Sequence, residues 1–428
     1  MQIAQLSRPP SRTWLAGLAL PALLLAACSA GAEQTTADAA EVSVTEDSAT
    51  SHQEEAATAR PRLVTAYDGG MLVVDALTLE VITDLPLEGF NRLAPAGDGR
   101  HVLVSHTATE AGWHVLDTGA WTQAHGDHAH HYTASPVLTG AVFAAVTPGH
   151  AVPHGGVTLL FDDGTGDITA FDPAELSATD GELPEATVLE SEAAHHGVAV
   201  RLSDGTTVAT LGTEDSRSGI RLLASDGTET ARDEDCPGVH GEGVAADEVV
   251  VVGCEDGVLL VRDGDITKIT SPTAFGRIGN QYVRPDSTVA VGDYKSDPEQ
   301  GLVLHQISLV DTASGRLSLV DLPTGVGYTW RGVGRGPAGE ALVLGTDGTL
   351  AAYDEVTGAA LSSWALIDPW EAPEEWQLPH PSLTVLDETA YVTDPASRTI
   401  QAVDLVTGEV WATATLPTTP NEVVVVTG

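Results

Sequence analysis

The chain has 428 residues, with 61 acidic residues against 19 Lys and Arg, which gives a formal net charge of −42. This balance excludes general nucleic-acid binding, because contacts to phosphate need Lys and Arg, and it disfavours adhesion to an anionic membrane surface. Because 42% of its residues are apolar, the chain is not disordered throughout. Its 44 Gly and 24 Pro favour many short strands and turns.

Residues 1–27 have the features of an export signal. Two arginines supply a positive start, and the apolar run at residues 14–25 is shorter than the roughly 20 residues of a membrane-spanning helix. The run ends in Leu25-Ala26-Ala27-Cys28, which resembles the lipobox of bacterial lipoproteins. We therefore predict cleavage before Cys28, lipidation of its thiol, and a location at the outer face of the cell membrane. The alternative is a plain signal peptide with an incidental cysteine.

An acidic tether is predicted at residues 28–60, ahead of a domain at residues 61–428. Residues 29–60 are rich in Ala, Thr, Ser and acidic residues, and the first basic residue among them is Arg60. Such a composition buries too little apolar surface to fold, so the tether is expected to be disordered.

Two further cysteines, Cys236 and Cys254, follow Cys28 in the sequence. An exported chain lies in an oxidising compartment, which favours a disulfide between them. The rival interpretation is a pair of metal thiolates, and it is weaker because the chain has no further Cys to complete a thiolate site. A bridge closing such a short loop stabilises a fold by about 3 kcal/mol.

From residue 62 onward the chain repeats one pattern. An apolar run, a Gly/Asp turn, a second run, a turn similar to D-x-x-T-G and a final run follow one another, most clearly at residues 341–358 and 384–408. Short strands with turn signals and a period of roughly 40–50 residues predict the blades of a β-propeller. We place the innermost strand of successive blades after Asn91, His131, His196, His240, Asn280, Arg331, His380 and Asn421.

The two ends of this repeat complement each other. Residues 422–426 form a lone apolar run, while residues 62–87 supply three strands without an innermost one. Joining them closes the ring and leaves few exposed edges. The sequence therefore predicts an all-β fold, a β-propeller of eight blades with seven as the alternative, with an insertion around residues 162–185.

The chain has 15 His, and four of them lie within residues 125–131. Imidazole and carboxylate groups suit Zn²⁺ and similar ions, and a loop can wrap several of them around one ion. The alternative is a solvated polar loop. The propeller repeat adds further candidates, because the entry to each innermost strand and the exit of the second strand lie on one face beside the central channel.

This placement brings several imidazoles to one rim of the channel. It also puts Cys236 at the entry to the innermost strand and Cys254 at the exit of the second strand of one blade, so that the two cysteines meet. Three or four imidazoles could complete a tetrahedral site. The predicted metal ligands are His125, His128, His130, His154, His196 and His240, with Asp127, His131, His150 and His106 in second rank.

The motifs, taken in order, resemble a known family. They are HGDHAH at 125–130, PGHAVPH at 148–154, FDDGTG at 161–166, HHGV at 195–198, CPGVHGE at 236–242 and GCEDG at 253–257. Together they resemble the exported zinc chaperones of the AztD type, which pass zinc to the solute-binding protein of an ABC importer.

The resemblance implies a β-propeller that binds Zn²⁺ tightly, is not an enzyme and has no catalytic residues. It also implies a weaker site in a His-rich N-terminal segment, but residues 29–60 contain only His52. His131 stands where the family has an aromatic residue, which favours His130 as the ligand.

Other functions stay open at this point. Residues 402–411 look like the tryptophan-docking repeat of quinoproteins, so a propeller oxidoreductase is one alternative, although the gap from Gly408 to Trp411 is one residue short. A protein-binding scaffold with structural histidines is another alternative. A hydrolytic zinc enzyme that keeps an open metal position for water is a third.

Overall fold

The computed structural model describes residues 53–108, 110–176 and 181–428. The predicted signal peptide, Cys28 and most of the predicted tether lie outside these residues. Within them the chain forms short β-strands and three single-turn 3-10 helices, at Pro173–Glu175, Ala246–Glu248 and Trp330–Gly332. None of the helices in this part of the chain is long and apolar enough to cross a membrane.

The strands follow one another with short connections. Those of the first half are β1 (Glu54–Ala56), β2 (Arg62–Tyr67), β3 (Gly70–Asp75), β4 (Val81–Pro86), β5 (Asn91–Pro95), β6 (His101–His106), β7 (Gly112–Asp117), β8 (Ala120–His125), β9 (His128–Thr133), β10 (Val137–Ala144), β11 (Pro148–His154), β12 (Val157–Asp162), β13 (Asp167–Phe171), β14 (Ala186–Glu190), β15 (Ala199–Arg201), β16 (Thr207–Gly212), β17 (Arg217–Leu223) and β18 (Glu229–Asp233).

The second half continues in the same way. Its strands are β19 (His240–Ala245), β20 (Val249–Cys254), β21 (Asp256–Arg262), β22 (Asp265–Thr270), β23 (Gly276–Arg277), β24 (Gln281–Tyr282), β25 (Val289–Tyr294), β26 (Gln306–Asp311), β27 (Arg316–Asp321), β28 (Val333–Arg335), β29 (Ala341–Leu344), β30 (Thr349–Tyr353), β31 (Ala360–Ala365), β32 (Ser382–Leu386), β33 (Thr389–Asp394), β34 (Thr399–Asp404), β35 (Val410–Thr415) and β36 (Val423–Val426).

Eight sheets of the described residues share a four-stranded antiparallel path, and we interpret each of them as one blade. From the innermost strand outwards they are β36-β2-β3-β4, β5-β6-β7-β10, β11-β12-β13-β14, β15-β16-β17-β18, β19-β20-β21-β22, β24-β25-β26-β27, β28-β29-β30-β31 and β32-β33-β34-β35. Strand β23 adds to the fifth of them by pairing with β21. The chain is thus an all-β protein with the predicted β-propeller architecture.

The core lies between neighbouring sheets. Every residue of β20 is buried, whereas most of the outer strand β22 is exposed or half-buried. Because other sheets cover both faces of the inner strands, those strands are continuous Val and Leu runs rather than alternating ones. One apolar cluster joins Val208 and Ile220 of one sheet to Val250 and Leu259 of the next.

The first and last strands close the ring as the sequence predicts. β36 pairs with β2, with Val426 opposite Arg62 and Val423 opposite Thr65. The Glu422 carboxylate, at the start of this closing strand, accepts a hydrogen bond from the Arg331 guanidinium at 3.2 Å. The closure is therefore held by a backbone ladder and by a buried ion pair.

One predicted blade start is wrong. The strand at His131 is not an innermost strand, because β8 and β9 form a hairpin inserted between β7 and β10 of one sheet. The innermost strand of the next sheet is β11, which begins at Pro148. The hairpin has two six-residue strands joined by a tight turn, as a blade has, so the sequence period did not distinguish them.

The end of the predicted disordered tether is also ordered. Glu54–Ala56 form β1, which pairs with β9 so that Glu55 lies opposite Tyr132. The physical reason is that the inserted hairpin offers an unpaired edge, and a neighbouring extended segment satisfies its backbone groups.

The Sγ atoms of Cys236 and Cys254 lie at disulfide-bonding distance, and their Cα atoms are 4.9 Å apart. Both side chains are fully buried in the apolar cluster between two sheets. The repeat-based prediction that these two cysteines meet agrees with this placement.

Candidate metal centre

Three histidines from three consecutive sheets meet at one rim of the ring; we call them the rim triad. His150 lies on β11, His196 just before β15, and His240 at the start of β19, so each is carried by an innermost strand or its entry. One ring nitrogen of each histidine lies within 4.8 Å of those of the other two. Three imidazoles at this separation are able to ligate a single Zn²⁺ ion.

The rings of the rim triad approach one another closely. Nε2 of His196 is 3.1 Å from Nε2 of His240, and the ring centroids of all three pairs are 5.1–5.3 Å apart. His196 is the most accessible of the three, with 42% of its side chain exposed. The triad is therefore open to solvent on one side.

Hydrogen bonds on the far side of two rings orient the triad. Nδ1 of His196 donates to Oδ2 of Asp163 at 2.5 Å, and Nδ1 of His240 donates to the Gly279 carbonyl oxygen at 2.6 Å. A proton held at Nδ1 leaves the lone pair of Nε2 free to bind a metal. In this tautomer the two Nε2 atoms that face each other are both acceptors.

Glycines beside the histidines permit this packing. A Cβ atom on Gly149 would overlap the Asp163 carboxylate, so a larger residue there would displace the partner of His196. Gly241 has φ +70°, in the left-handed region that favours glycine, and a Cβ there would meet the Gly279 carbonyl that holds His240.

Burial keeps two imidazoles of the rim triad neutral. Desolvation lowers the pKa of His150 well below its ordinary value, and the neighbouring His240 and His196 lower it further. Burial, followed by the positive charge of Arg277, lowers the pKa of His240 to about 3. At neutral pH both rings are therefore in the uncharged form that ligates a metal.

A half-buried carboxyl group lies behind His150. Oε2 of Glu242 is 4.0 Å from Nδ1 of His150, and burial raises the pKa of Glu242 to about 8. Glu242 and His150 also line a cavity of about 260 Å³ together with Arg92 and Trp330. The rim triad thus borders a polar cavity at the inner strands of the ring.

A second group, the hairpin triad, consists of His125, His128 and His130 on β8 and β9. Nε2 of His130 lies 3.2 Å from Nε2 of His128 and 3.4 Å from Nδ1 of His125. His125 and His128 face each other across the tight turn at residues 126–127. Nδ1 of His130 donates to Oε1 of Glu55 on β1 at 2.9 Å, so the hairpin triad has a carboxylate partner of its own.

The expected single site, made from residues 125–131 with His154, His196 and His240, does not form. The structure divides its members between the two triads, because the inserted hairpin is an outer element rather than a strand entry at the channel. His154 lies at the other end of β11 from His150, and its Nε2 atom is bound 2.8 Å from Oε1 of Glu248.

The remaining second-rank candidates have other partners. His106 is buried, and its Nδ1 atom is 3.1 Å from Oδ1 of Asn91. His131 alternates with His130 along β9, so its ring points to the opposite face, where Nδ1 lies 2.9 Å from Oγ1 of Thr122. Asp127 is fully exposed, 3.3 Å from Nδ1 of His128.

Two residues gain importance from the structure. His150, placed only in second rank by the sequence, is a full member of the rim triad. Asp163 was part of a recognised motif but had no assigned role. Its position in an Asp-Asp-Gly turn after β12 resembles any blade turn, and only the folded sheet shows that it reaches His196.

No family model matches the chain. The zinc chaperone AztD of Citrobacter koseri is 26% identical to it over 353 residues, which span 78% of each chain. The crystal structure of Citrobacter koseri AztD matches with a TM-score of 0.73 and 24% identity, over 87% of this chain and 99% of that one.

A more distant structure, the dihydro-heme d1 dehydrogenase NirN, matches with a TM-score of 0.57 and 12% identity over 87% of this chain and 76% of that one. This likeness concerns the fold alone. The resemblance to AztD-type zinc chaperones that the sequence motifs indicated is therefore confirmed over most of the chain.

Proposed function

We propose that this protein is an extracytoplasmic zinc chaperone, not an enzyme, that binds Zn²⁺ and delivers it to the solute-binding protein of a zinc ABC importer. The observation that carries the proposal is the rim triad, in which Asp163 and Gly279 orient two of three converging imidazoles. The similarity to a protein named as a zinc chaperone supports the same cargo.

The donor set of the rim triad fits zinc. Neutral imidazole is a borderline ligand that Zn²⁺ accepts readily, and a carboxylate–histidine pair behind the ligand raises its basicity. The same set of three nitrogens leaves one tetrahedral position for an incoming ligand. Since the His196 side chain is partly exposed, an acceptor protein can approach the ion and replace the histidines one at a time.

The hairpin triad supports a second zinc site. Its three histidines lie on a solvent-exposed hairpin, and Glu55 holds His130 from the far side. Its histidines are more exposed than those of the rim triad, so its zinc is expected to exchange faster. The metal ligands of both sites are histidines. Zinc binding therefore weakens at acidic pH, because protonated imidazole does not bind a metal.

The location follows from the predicted export signal. Cleavage before Cys28 and lipidation of its thiol would anchor the domain at the outer face of the membrane, where the solute-binding protein works. In that oxidising space the adjacent Cys236 and Cys254 form a disulfide.

Zinc retention and transfer by the mature protein test the proposal. The metal-free protein is loaded with Zn²⁺, separated from free ion, and mixed with a candidate solute-binding protein in excess EDTA. We expect bound zinc before mixing and zinc in the acceptor afterwards, because direct exchange avoids the free ion. A protein that retains no zinc, or whose zinc passes entirely to EDTA, would refute the proposal.

A matched pair of variants completes this test. The triple variant H150A/H196A/H240A removes the rim triad, whereas H114A/H305A removes two histidines that hydrogen-bond to backbone carbonyls elsewhere in the ring. Transfer of the zinc ion held by the rim triad should be lost in the first and retained in the second. Equal transfer by both variants would exclude the rim triad as the donor site.

A further inference from the structure

The disulfide pair Cys236 and Cys254 lies next to the rim triad. Cys236 opens the short segment 236–239 that leads into His240, and Cys254 ends β20 directly after Gly253. In the ladder between β19 and β20, Gly253 is the residue opposite His240. Both cysteine side chains are fully buried. The bridge therefore ties the segment that leads into a triad histidine to the strand paired with it.

A β-bulge lies immediately after His240. The register of β19 against β20 shifts between His240 and Glu242, and Gly241, within the shift, has φ +70°. A bulge interrupts the regular ladder and turns the neighbouring side chain in a new direction. The ladder of β19 therefore does not by itself set the direction of the His240 side chain, and the position of segment 236–239 on its other side matters.

The bridge also supports the group that orients the His240 ring. The carbonyl oxygen of Cys254 accepts a hydrogen bond from the Ile278 amide at 3.1 Å. The next residue is Gly279, whose carbonyl oxygen accepts from Nδ1 of His240 at 2.6 Å. The packing is close here, because a Cβ atom on Gly253 would overlap the Ile278 carbonyl oxygen. One cysteine thus precedes the ligand, and the other holds the segment that contains its hydrogen-bond acceptor.

Backbone hydrogen bonds keep segment 236–239 in the fold independently of the bridge. The Cys236 amide donates to the Ser218 carbonyl at 3.0 Å, and the Gly238 amide donates to the Arg217 carbonyl at 2.9 Å. Both bonds reach β17 of the neighbouring sheet. We therefore expect the domain to fold without the bridge. The position of His240 relative to β20 would then lose its covalent constraint.

We propose that the Cys236–Cys254 disulfide positions His240 for zinc, so that the rim triad reaches its full affinity only when the bridge is present. This inference rests on the proposed function, because it requires that the triad binds zinc. The sulfur atoms do not ligate the metal and act only through His240. Two ligands of the triad are then held in different ways: His196 by the Asp163 carboxylate, and His240 by a covalent bridge together with a backbone carbonyl.

Zinc affinity, measured for each triad separately, tests the role of the bridge. The H128A background keeps the rim triad intact, and the H196A background keeps the hairpin triad intact. C236A/C254V removes the bridge and leaves apolar side chains in the buried cluster. We expect zinc affinity to fall about tenfold in the H128A background and to stay unchanged in the H196A background.

Cobalt spectra show whether His240 is the ligand affected. In the H128A background, the visible bands of Co²⁺ bound by C236A/C254V should shift towards those of H240A, because a displaced ligand changes the coordination geometry of the metal. The matched control is V250A, which opens a gap in the same buried cluster but keeps the bridge. It should lower the unfolding midpoint and leave zinc affinity and the cobalt spectrum unchanged.

Zinc binding by H128A with the bridge intact distinguishes failure of this inference from failure of the proposed function. If H128A binds no zinc, the rim triad is not a metal site and the proposed function fails. If H128A binds zinc and loss of the bridge leaves its affinity unchanged, or weakens both triads equally, the bridge does not position His240.

Circular dichroism verifies that each bridge variant is folded. C236V/C254A, which has the larger side chain at the other position, replaces C236A/C254V if the latter does not fold. Failure of both variants to fold would show that the bridge serves the fold as a whole, and would overturn the inference.

Discussion

Nε2 of His196 and Nε2 of His240 lie 3.1 Å apart although 44 residues separate them in the chain. The distance is short because each histidine stands at the entry to the innermost strand of neighbouring sheets. Residues that are one repeat apart in the sequence therefore lie in neighbouring sheets of the ring. Residues that share a position in successive repeats are brought side by side, and this relationship is the basis of the rim triad.

The two triads should bind zinc independently. Replacing His196 by Ala should abolish binding at the rim triad alone, and replacing His128 by Ala should abolish it at the hairpin triad alone, because no histidine belongs to both. Metal analysis of protein freed from loosely bound zinc should show that each single variant loses one of two bound ions. His305→Ala is the control and should retain both. A loss of both ions in H128A would indicate one shared site.

Asp163 should determine zinc affinity without binding the metal itself. D163N removes the negative charge that orients His196, and loss of such a partner typically weakens metal binding about 10- to 100-fold. Competition with a chromophoric chelator measures the effect. D265N is the control, because Asp265 lies on an exposed outer strand. Equal affinity of D163N and wild type would show that the hydrogen bond to His196 does not tune the site.

Glu422 should contribute strongly to ring closure. Its carboxylate and the Arg331 guanidinium are 8% and 2% exposed, and Oε2 also accepts from the Leu93 amide at 3.0 Å. E422A would leave a buried positive charge without its partner, which costs about 3 kcal/mol or more. Thermal unfolding should show a lower midpoint for E422A. E409A, at an exposed turn near the outer strand β35, should unfold like the wild type.

The metal-free protein should lose stability between neutral pH and pH 5. Burial, followed by the charge of Arg331, lowers the pKa of His380 from 6.5 to about 4. Between these values the unfolded chain binds the proton and the folded chain does not, so stability is complete above pH 6.5 and falls as pH decreases. The His380 contribution to this loss is about 2 kcal/mol at pH 5.

The variant H380F isolates that contribution. It keeps an aromatic ring against Trp370 but cannot be protonated, so the difference in unfolding free energy between pH 7 and pH 5 should shrink. Urea unfolding of metal-free samples measures this difference, and H305F provides the control for an exposed histidine. An unchanged pH dependence in H380F would mean that the pKa of His380 is the same in the folded and unfolded states.

The sequence predicted more of the fold than of the metal site. Seven of the eight proposed strand entries precede an innermost strand, because the apolar runs and Asp-Gly turns of a propeller recur in the sequence itself. The pairing of β36 with β2 followed from two incomplete sets of strands. The entry at His131 failed because the inserted hairpin has the strand length and turn of a blade.

The same error misplaced the metal ligands. Taking the hairpin for a blade entry moved His128 and His130 to the channel rim and made His150 a second-strand residue. The contribution of Asp163 could not be predicted from the sequence, because its contact with His196 crosses from one sheet to another and depends on a side-chain direction. Residue types and period were therefore sufficient to indicate a histidine site, but not to divide the histidines into two groups.

The pairing of β36 with β2 also bears on the order of folding. The innermost strand of the first sheet is Val423–Val426, so residues 62–86 cannot complete their sheet until the last residues of the chain are available. Contacts this distant in sequence close slowly. An N-terminal portion that emerges first from a ribosome or a translocation channel is therefore held in an incomplete sheet. The ring is thus expected to fold only after nearly the whole domain has emerged.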